Sequence, residues 1–342
     1  DGHLIKAGMG KQELNGNSTV GGGTRVLAGS LIVGSAAGSS ASLASDIDVA
    51  QGAMLGGHGT VIGDINMASG ATLNPGNSIG TLKVNGDLNF NKGSTLVIEA
   101  NPDGRSDRVI ASGSVALDGA NLSVLASTGS WAPNTPYNII QANSLTGTFG
   151  SVSSNLAFLM PLVSYASNGV TLNLARNDVA FASVAQTYNQ RAVAGALDSA
   201  STGAVHDAVA ALSADQARAA YNSLSGEIHT STRGALFDDS RYVRDAIGTR
   251  LRNAQVQSQS EGVLHVDADS NMIFWVTGYG SWGDSDGNSN VADLDHNSQG
   301  MLMGVDMPLN DTWRAGVAAG YGNTDLDANA RNSSAKINST SL

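Results

Sequence analysis

The chain has no cysteine, little charge and few aromatics: of 342 residues, 14% are charged and 5% are Phe, Trp or Tyr. Without cysteine there is no disulfide framework and no thiolate metal site, which removes the small disulfide scaffolds and the Cys-type zinc modules. A chain without thiols also suits threading through a narrow pore, although a cysteine-poor bacterial protein would look the same. No apolar run reaches the ~20 residues of a membrane-spanning helix. That says nothing against membrane strands, which are individually only weakly hydrophobic. The six histidines are scattered, without the i, i+4 spacing of a helical zinc pair. With 18 basic against 29 acidic residues and a net charge of −11, the chain lacks the clustered Lys and Arg of a nucleic-acid footprint.

What the chain has is glycine, 42 residues of it, and a charge distribution that divides it. Residues 1–175 carry seven basic and ten acidic side chains, residues 176–260 eight of each, and residues 261–342 three and eleven. The first part reads as short strands punctuated by Gly, Asn, Ser and Asp, such as Thr24–Val33, Asp87–Phe90 and Asn121–Ala126. Gly-Ala-Met-Leu at 52–55, Gly-Ala-Thr-Leu at 70–73 and Gly-Ser-Thr-Leu at 93–96 are related phrases. A loose repeat of about twenty residues with short strands predicts a solenoid, here a right-handed parallel β-helix. A β-sandwich is the alternative.

From Asp178 the period becomes helical. Val205, Val209 and Leu212 share one helical face, and Ser213 with Gln216 forms a capping box. Gly226–Arg252 keeps helical character through Ile228, Leu236, Val243, Ile247 and Leu251, with alternating charges along it. After Asn271 the period becomes two. Met301, Met303, Val305, Met307 and Leu309 alternate with Gly300, Leu302, Gly304 and Asp306. Trp313, Ala315, Val317, Ala319 and Tyr321 alternate with Arg314, Gly316, Ala318 and Gly320. Ile273–Trp282 adds an aromatic-rich strand. An apolar face opposite a small or polar one, with aromatics near the ends, is the pattern of an outer-membrane strand of about 9–11 residues. Three strands and part of a fourth cannot close, and an open edge in lipid leaves backbone groups unpaired, so further strands are expected.

Four stretches in this order resemble the type Va autotransporters. Leu4–Gly10 with Gly29–Gly34 resembles the passenger-associated repeat. Pro75-Gly76-Asn77-Ser78-Ile79-Gly80, with Gly86-Asp87-Leu88 and Asp107, resembles the segment preceding the autochaperone region. Leu224-Ser225-Gly226-Glu227-Ile228-His229 with Asp239-Ser240-Arg241 resembles the helical segment leading into the barrel. Phe274-Trp275 through Trp282-Gly283 resembles the first barrel strand. The resemblance implies a mainly β chain: a β-helical passenger repeat region (1–64), its autochaperone-like end (65–175), a helical linker and pore helix (176–260) and the first strands of an incomplete translocator barrel (261–342). It implies self-export across the bacterial outer membrane, with outer-membrane lipid, the barrel-assembly machinery and periplasmic chaperones as partners and no cofactor. The passenger is then on the cell surface or released. Arg241, Arg244, Arg250 and Arg252 become candidates for seating the helix in the lumen, with Asp306 as a lumen-facing carboxylate. Trp275, Tyr279, Trp313 and Tyr321 become candidates for the membrane girdle. A subtilisin-like protease domain upstream, or a β-helical adhesin, is the alternative for the parent protein.

Two motifs imitate other chemistry. Gly76-Asn77-Ser78-Ile79-Gly80 has the spacing of a nucleophile elbow, which needs a strand before Ser and a helix after it. The alternating Thr81–Val84 follows instead, and a β-helix turn is expected. Asp284, Asp286, Asn288 and Asp295 imitate a Ca²⁺ loop, but Ser289 stands where that loop needs Gly. An exposed acidic loop is expected there.

Overall fold

The computed structural model describes residues 2–129, 131, 135–255, 263–267 and 272–342. Its contacts divide the chain into two compact units. One is Asp1–Val184 with Gly195–Ala217, the other Ala185–Ala194 with Arg218–Leu342.

The first unit is a three-sided parallel β-solenoid. Its strands fall into three sheets, and each strand as far as Asn121–Ala126 pairs with the third one after it, so that every coil contributes one strand to each side. The three related phrases stack: Met54 pairs with Thr72, and Thr72 with Thr95. A column of leucines results, with Leu31, Leu55, Leu73, Leu96 and Leu122 in register from coil to coil and fully buried. A second column runs Ile47, Ile65, Leu88, Val115. Each such side chain, withdrawn from water, stabilises the stack by about 1.5–3 kcal/mol. The irregular spacing in sequence comes from turns of unequal length between the sheets, not from the inward-facing positions.

At its C-terminal end the stack changes direction. Gly169–Arg176 pairs antiparallel with Tyr137–Gln141 and with Leu159–Ala166, adding a hairpin to the third sheet. Arg176 then sits over the buried Phe158 and Phe181 rings, 5.4 and 4.6 Å from their centroids, and donates to the carbonyls of Phe158 and Val179. Asp198 accepts the backbone N–H groups of Phe181 and Ala182, and the Ala157 N–H donates to the Leu212 carbonyl at 3.0 Å. Part of the helical segment therefore packs with the solenoid.

Helices follow in the order α1 (Tyr188–Ala200), α2 (Ala204–Ala210), α3 (Ala214–Leu224) and α4 (Glu227–Gln255). The capping box forms: Ser213 N–H donates to Gln216 Oε1 at 3.0 Å, and Gln216 N–H to Ser213 Oγ at 3.3 Å. Gly226, at φ +66°, stops α3 in the left-handed conformation that glycine adopts without a Cβ penalty. α4 then runs for 29 residues, about 44 Å.

The second unit carries an antiparallel meander of five strands: Val263–Asp267, Met272–Ser285, Leu294–Pro308, Arg314–Ala328 and Ser333–Ser341. Three of them have 14 or 15 residues, longer than the alternating segments in sequence and ample to cross a bilayer. Among the described residues the sheet is open at Val263–Asp267 and at Ser333–Ser341.

Candidate functional site

The site is the inner face of this open sheet, with α4 lying on it. Residues directly opposite each other in an antiparallel pair share a face. The register places Ile273, Asp306 and Gly316 together, then Trp275, Gly304 and Ala318, then Tyr279, Gly300 and Gly322. The other face carries Val276, Met301, Met303, Val317 and Tyr321. It is the exposed one: Val317 is 79% and Tyr321 55% exposed, against 6% for Trp275. Apolar side chains are thus turned outward and polar ones covered, the inverse of a water-soluble sheet.

Polar contacts hold α4 to the covered face along its length. Near its C-terminal end Arg250 donates from Nε and Nη2 to the Asp306 carboxylate at 2.8 and 3.1 Å, and Arg314 donates to the same carboxylate. Asp306 and Arg250 side chains are 8% and 12% exposed, so this charge cluster is shielded from salt and water. In the middle of the helix Thr324 Oγ1 donates to Asp239 Oδ2 at 2.6 Å, Ser298 Oγ joins Thr324 at 2.9 Å, and His296 Nε2 lies 3.4 Å from Asp239 Oδ1. Next to them the Tyr242 ring stacks on Tyr279, with centroids 5.2 Å apart. At the helix start Glu227 accepts from Arg331 Nε at 3.0 Å and from the Ala292 N–H at 2.7 Å. Ile228 and Ala235 pack with Leu326 and Ala328 as the apolar part of the same contact.

Of the sequence-derived helix candidates, Arg250 meets the strands, and it meets Asp306. Arg241 is exposed and bonds to Tyr242, Arg252 is exposed and bonds to Thr249, both on α4 itself, and Arg244 is exposed. The girdle expectation is corrected for two residues. Trp275 and Tyr279 lie on the helix side of the sheet, because each ring fills the space left by glycines opposite it. A Cβ at Gly304 would stand 2.5 Å from the Trp275 ring, and one at Gly300 or Gly322 would overlap Tyr279. Trp313 and Tyr321 lie exposed, Tyr321 on the outward face, and Trp282 is exposed there as well. Arg314, Arg331, Glu227, Asp239 and Thr324 were not picked out as helix-seating residues. A signal existed for Arg314, which shares even parity with Asp306 across the short turn at 309–313.

In the Ca²⁺-like loop at 284–295 two side chains turn to the loop's own backbone, while Asp295 Oδ2 accepts from Asn329 Nδ2 at 3.0 Å and Asn290 Oδ1 from the Asn189 N–H at 2.8 Å. Asn288 Oδ1 accepts the N–H groups of Asn290 and Val291, and Asp293 Oδ1 accepts that of Gly287.

The solenoid motif residues also gather in one place. Pro75 pairs with Gly57, and Gly76 exchanges backbone hydrogen bonds of 3.0 and 2.8 Å with Gly57. The Asn77 N–H donates to His58 Nε2 at 3.1 Å, so the ring nitrogen facing it is unprotonated, and burial lowers the His58 pKa accordingly. Asp107, fully buried, accepts the N–H of Gly80 and of Glu99, each at 2.8 Å. Burial pushes its carboxyl up to about 7, against the downward pull of the two N–H groups. Ser78 is exposed, and the strand Thr81–Asn85 follows it, not a helix, so the setting is that of a solenoid corner.

Comparison with known proteins agrees with this layout. Residues 274–342 match the autotransporter β-domain family. This match falls on the long strands of the second unit. Two extracellular serine proteases of Serratia marcescens are similar over 95% of the chain, at 29% and 27% identity. The chain spans 35% of the length of each of them. The similarity thus runs from the solenoid through the helices into the β-domain strands.

Proposed function

We propose that this segment of an autotransporter mediates export of an N-terminal passenger across the bacterial outer membrane and presents it outside. In this reading the exposed Met301–Val317–Tyr321 face meets outer-membrane lipid, and α4 occupies the lumen side as the pore helix. Arg250, Glu227, Asp239 and Tyr242 anchor it there, and Asp306 is the lumen carboxylate. The observation that carries the reading is the inverted sheet, apolar outward and polar toward a long helix. Residues from about 65 to 175, including the Pro75–Gly80 corner and Asp107, serve as the stable coil end on which the passenger folds. Solenoid stability is a sum of nearest-neighbour terms, so a folded coil templates the next. The barrel-assembly machinery and periplasmic chaperones are the expected partners during insertion.

The test is deletion of residues 65–175 in the full-length precursor, with barrel insertion followed by heat-modifiable mobility and export by surface protease protection. The reading requires inserted barrel with lost or protease-sensitive passenger. An unchanged, protease-resistant surface passenger contradicts it.

A second proposal concerns the parent protein. The matched relatives are named as extracellular serine proteases, which favours a protease domain upstream of Asp1 over an adhesin stem. Reading the parent gene upstream decides this: an Asp-His-Ser set supports a secreted protease, and further Gly-rich repeats alone support a stem.

A further inference from the structure

One corner of the solenoid repeats a hydrogen bond that the apolar columns do not account for. Asp46 Oδ1 accepts the backbone N–H of Asp64 at 2.8 Å, Asp64 Oδ1 that of Asp87 at 2.8 Å, and Asp87 Oδ1 that of Ser114 at 2.7 Å. The residue before each donor is glycine: Gly63, Gly86 and Gly113. A Cβ at Gly63 or Gly86 would stand 2.7 Å from the incoming carboxylate oxygen, and one at Gly113 would overlap it. Glycine there lets the carboxylate of one coil lie flat against the backbone of the next.

A parallel column two residues further along the same strands has the same polarity. Asn66 Nδ2 donates to Asp48 Oδ1 and Asn89 Nδ2 to Asn66 Oδ1, each at 3.1 Å. An ionised Asp48 can only accept, which fixes the direction of both bonds.

The successive donors and acceptors are 18, 23 and 27 residues apart in sequence. Chain length between coils therefore cannot set their register. A slip of one residue in a strand would turn its apolar side chains outward. Something must mark the start of each inward column, and the corner carboxylates stand one residue before Ile47, Ile65 and Leu88, which open those columns. Asp107 and Asn155 also bond to a backbone N–H of a neighbouring coil, that of Gly80 and of Ala126, but both lie outside this column of corners.

We infer that Asp46, Asp64 and Asp87 are register-positioning residues, each pinning its own coil onto the coil C-terminal to it. The C-terminal coil supplies a backbone N–H fixed by its sheet, and the incoming coil brings a mobile side-chain acceptor. Acceptor geometry, not charge, is what the pin needs. The pin itself does not depend on the export reading; the order of joining, C-terminal coil first, rests on it.

The test uses the 342-residue chain with Asp87→Ala, Asp87→Asn, Asp64→Ala and Asp64→Asn, followed by hydrogen exchange at single amides in the folded state and during refolding. For Asp87→Ala the amide of Ser114 should lose roughly tenfold in protection, the scale of one lost hydrogen bond. Protection of the strands at 47–49 and 65–67 should appear several-fold later on refolding, with 121–126 unchanged. Asn retains an acceptor oxygen and should restore both within about twofold. Equal losses for Asn and Ala would overturn the proposal, as would unaltered refolding with Ala or a delay confined to coils C-terminal to residue 87. If Asp87→Ala does not fold, Asp64→Ala gives the same readouts at Asp87 and at strand 47–49.

Discussion

The two units use the same alternation in opposite senses. In the solenoid the alternate residues Leu73 and Leu96 point into a dry interior, and their neighbours Thr72 and Thr95 lie at least partly in solvent. In the β-domain sheet the apolar Met301, Met303 and Val317 are the exposed set, and the covered set includes Asp306, Ser298 and Thr324. A period of two identifies a strand but not which face is buried. What distinguishes the faces is the chemistry of the second set: small and charged residues that a helix such as α4 can engage, instead of residues suited to water.

The contrast can be broken first at Asp306. Asp306→Ala leaves Arg250 and Arg314 covered without their counter-charge, and removal of one partner from a buried pair costs about 3–5 kcal/mol. The expected result is loss of the heat-modifiable folded form at a markedly lower temperature. The equivalent assault on the solenoid is Leu73→Ala, which opens a cavity between coils and should cost about 2–5 kcal/mol in denaturant unfolding of the chain. The outward face should respond to charge and not to cavity formation. Val317→Lys in the membrane-inserted precursor should cost about 2–4 kcal/mol near the bilayer midplane. Val317→Ala should change stability little, and a large cavity cost there would mean that this face is packed.

At Asp107 the signal is a slope with pH. Asp107 has its carboxyl raised to about 7 in the fold, from an ordinary value of 3.8. The folded solenoid therefore binds the proton more tightly than the unfolded chain. Its contribution is largest below about pH 4 and is lost as pH rises through 7, at no more than about 1.4 kcal/mol per pH unit. Asp107→Asn should flatten this dependence in urea titrations between pH 4 and 8. At low pH, where Asp107 is protonated and carries no burial penalty, the substitution should also lower stability, because one of the two N–H groups then faces an amide donor.

Much of the architecture was legible because the period carries the information. The alternating runs at 301–309 and 313–321 mark strands, and the Gly-Ala-Met-Leu phrases mark equivalent corners of successive coils. The Ser213–Gln216 box marks the start of α3. The site was legible in part. Arg250 and Asp306 could be named separately, one from a charged helix and one from strand parity, but nothing in sequence pairs them across 56 residues. Trp275 and Tyr279 were misplaced because an aromatic near a strand end fits either a lipid girdle or a lumen. Gly300, Gly304 and Gly322 put both rings on the face that carries α4, as the register sets them beside those rings, and register is a property of the folded sheet. Coil lengths were also hidden, since turns of unequal length blur the period.

The most direct test of the account is a cysteine scan along the Leu294–Pro308 strand, in a 342-residue segment that has no cysteine of its own. Cysteines at 298, 301, 302, 303 and 305 of the full precursor, inserted in outer membrane, would carry a fluorophore quenched by a bilayer-soluble nitroxide. Strong quenching at 301, 303 and 305 with weak quenching at 298 and 302 is the predicted result. Uniform quenching, or the opposite alternation, would contradict a sheet that turns its apolar face to lipid and its polar face to α4.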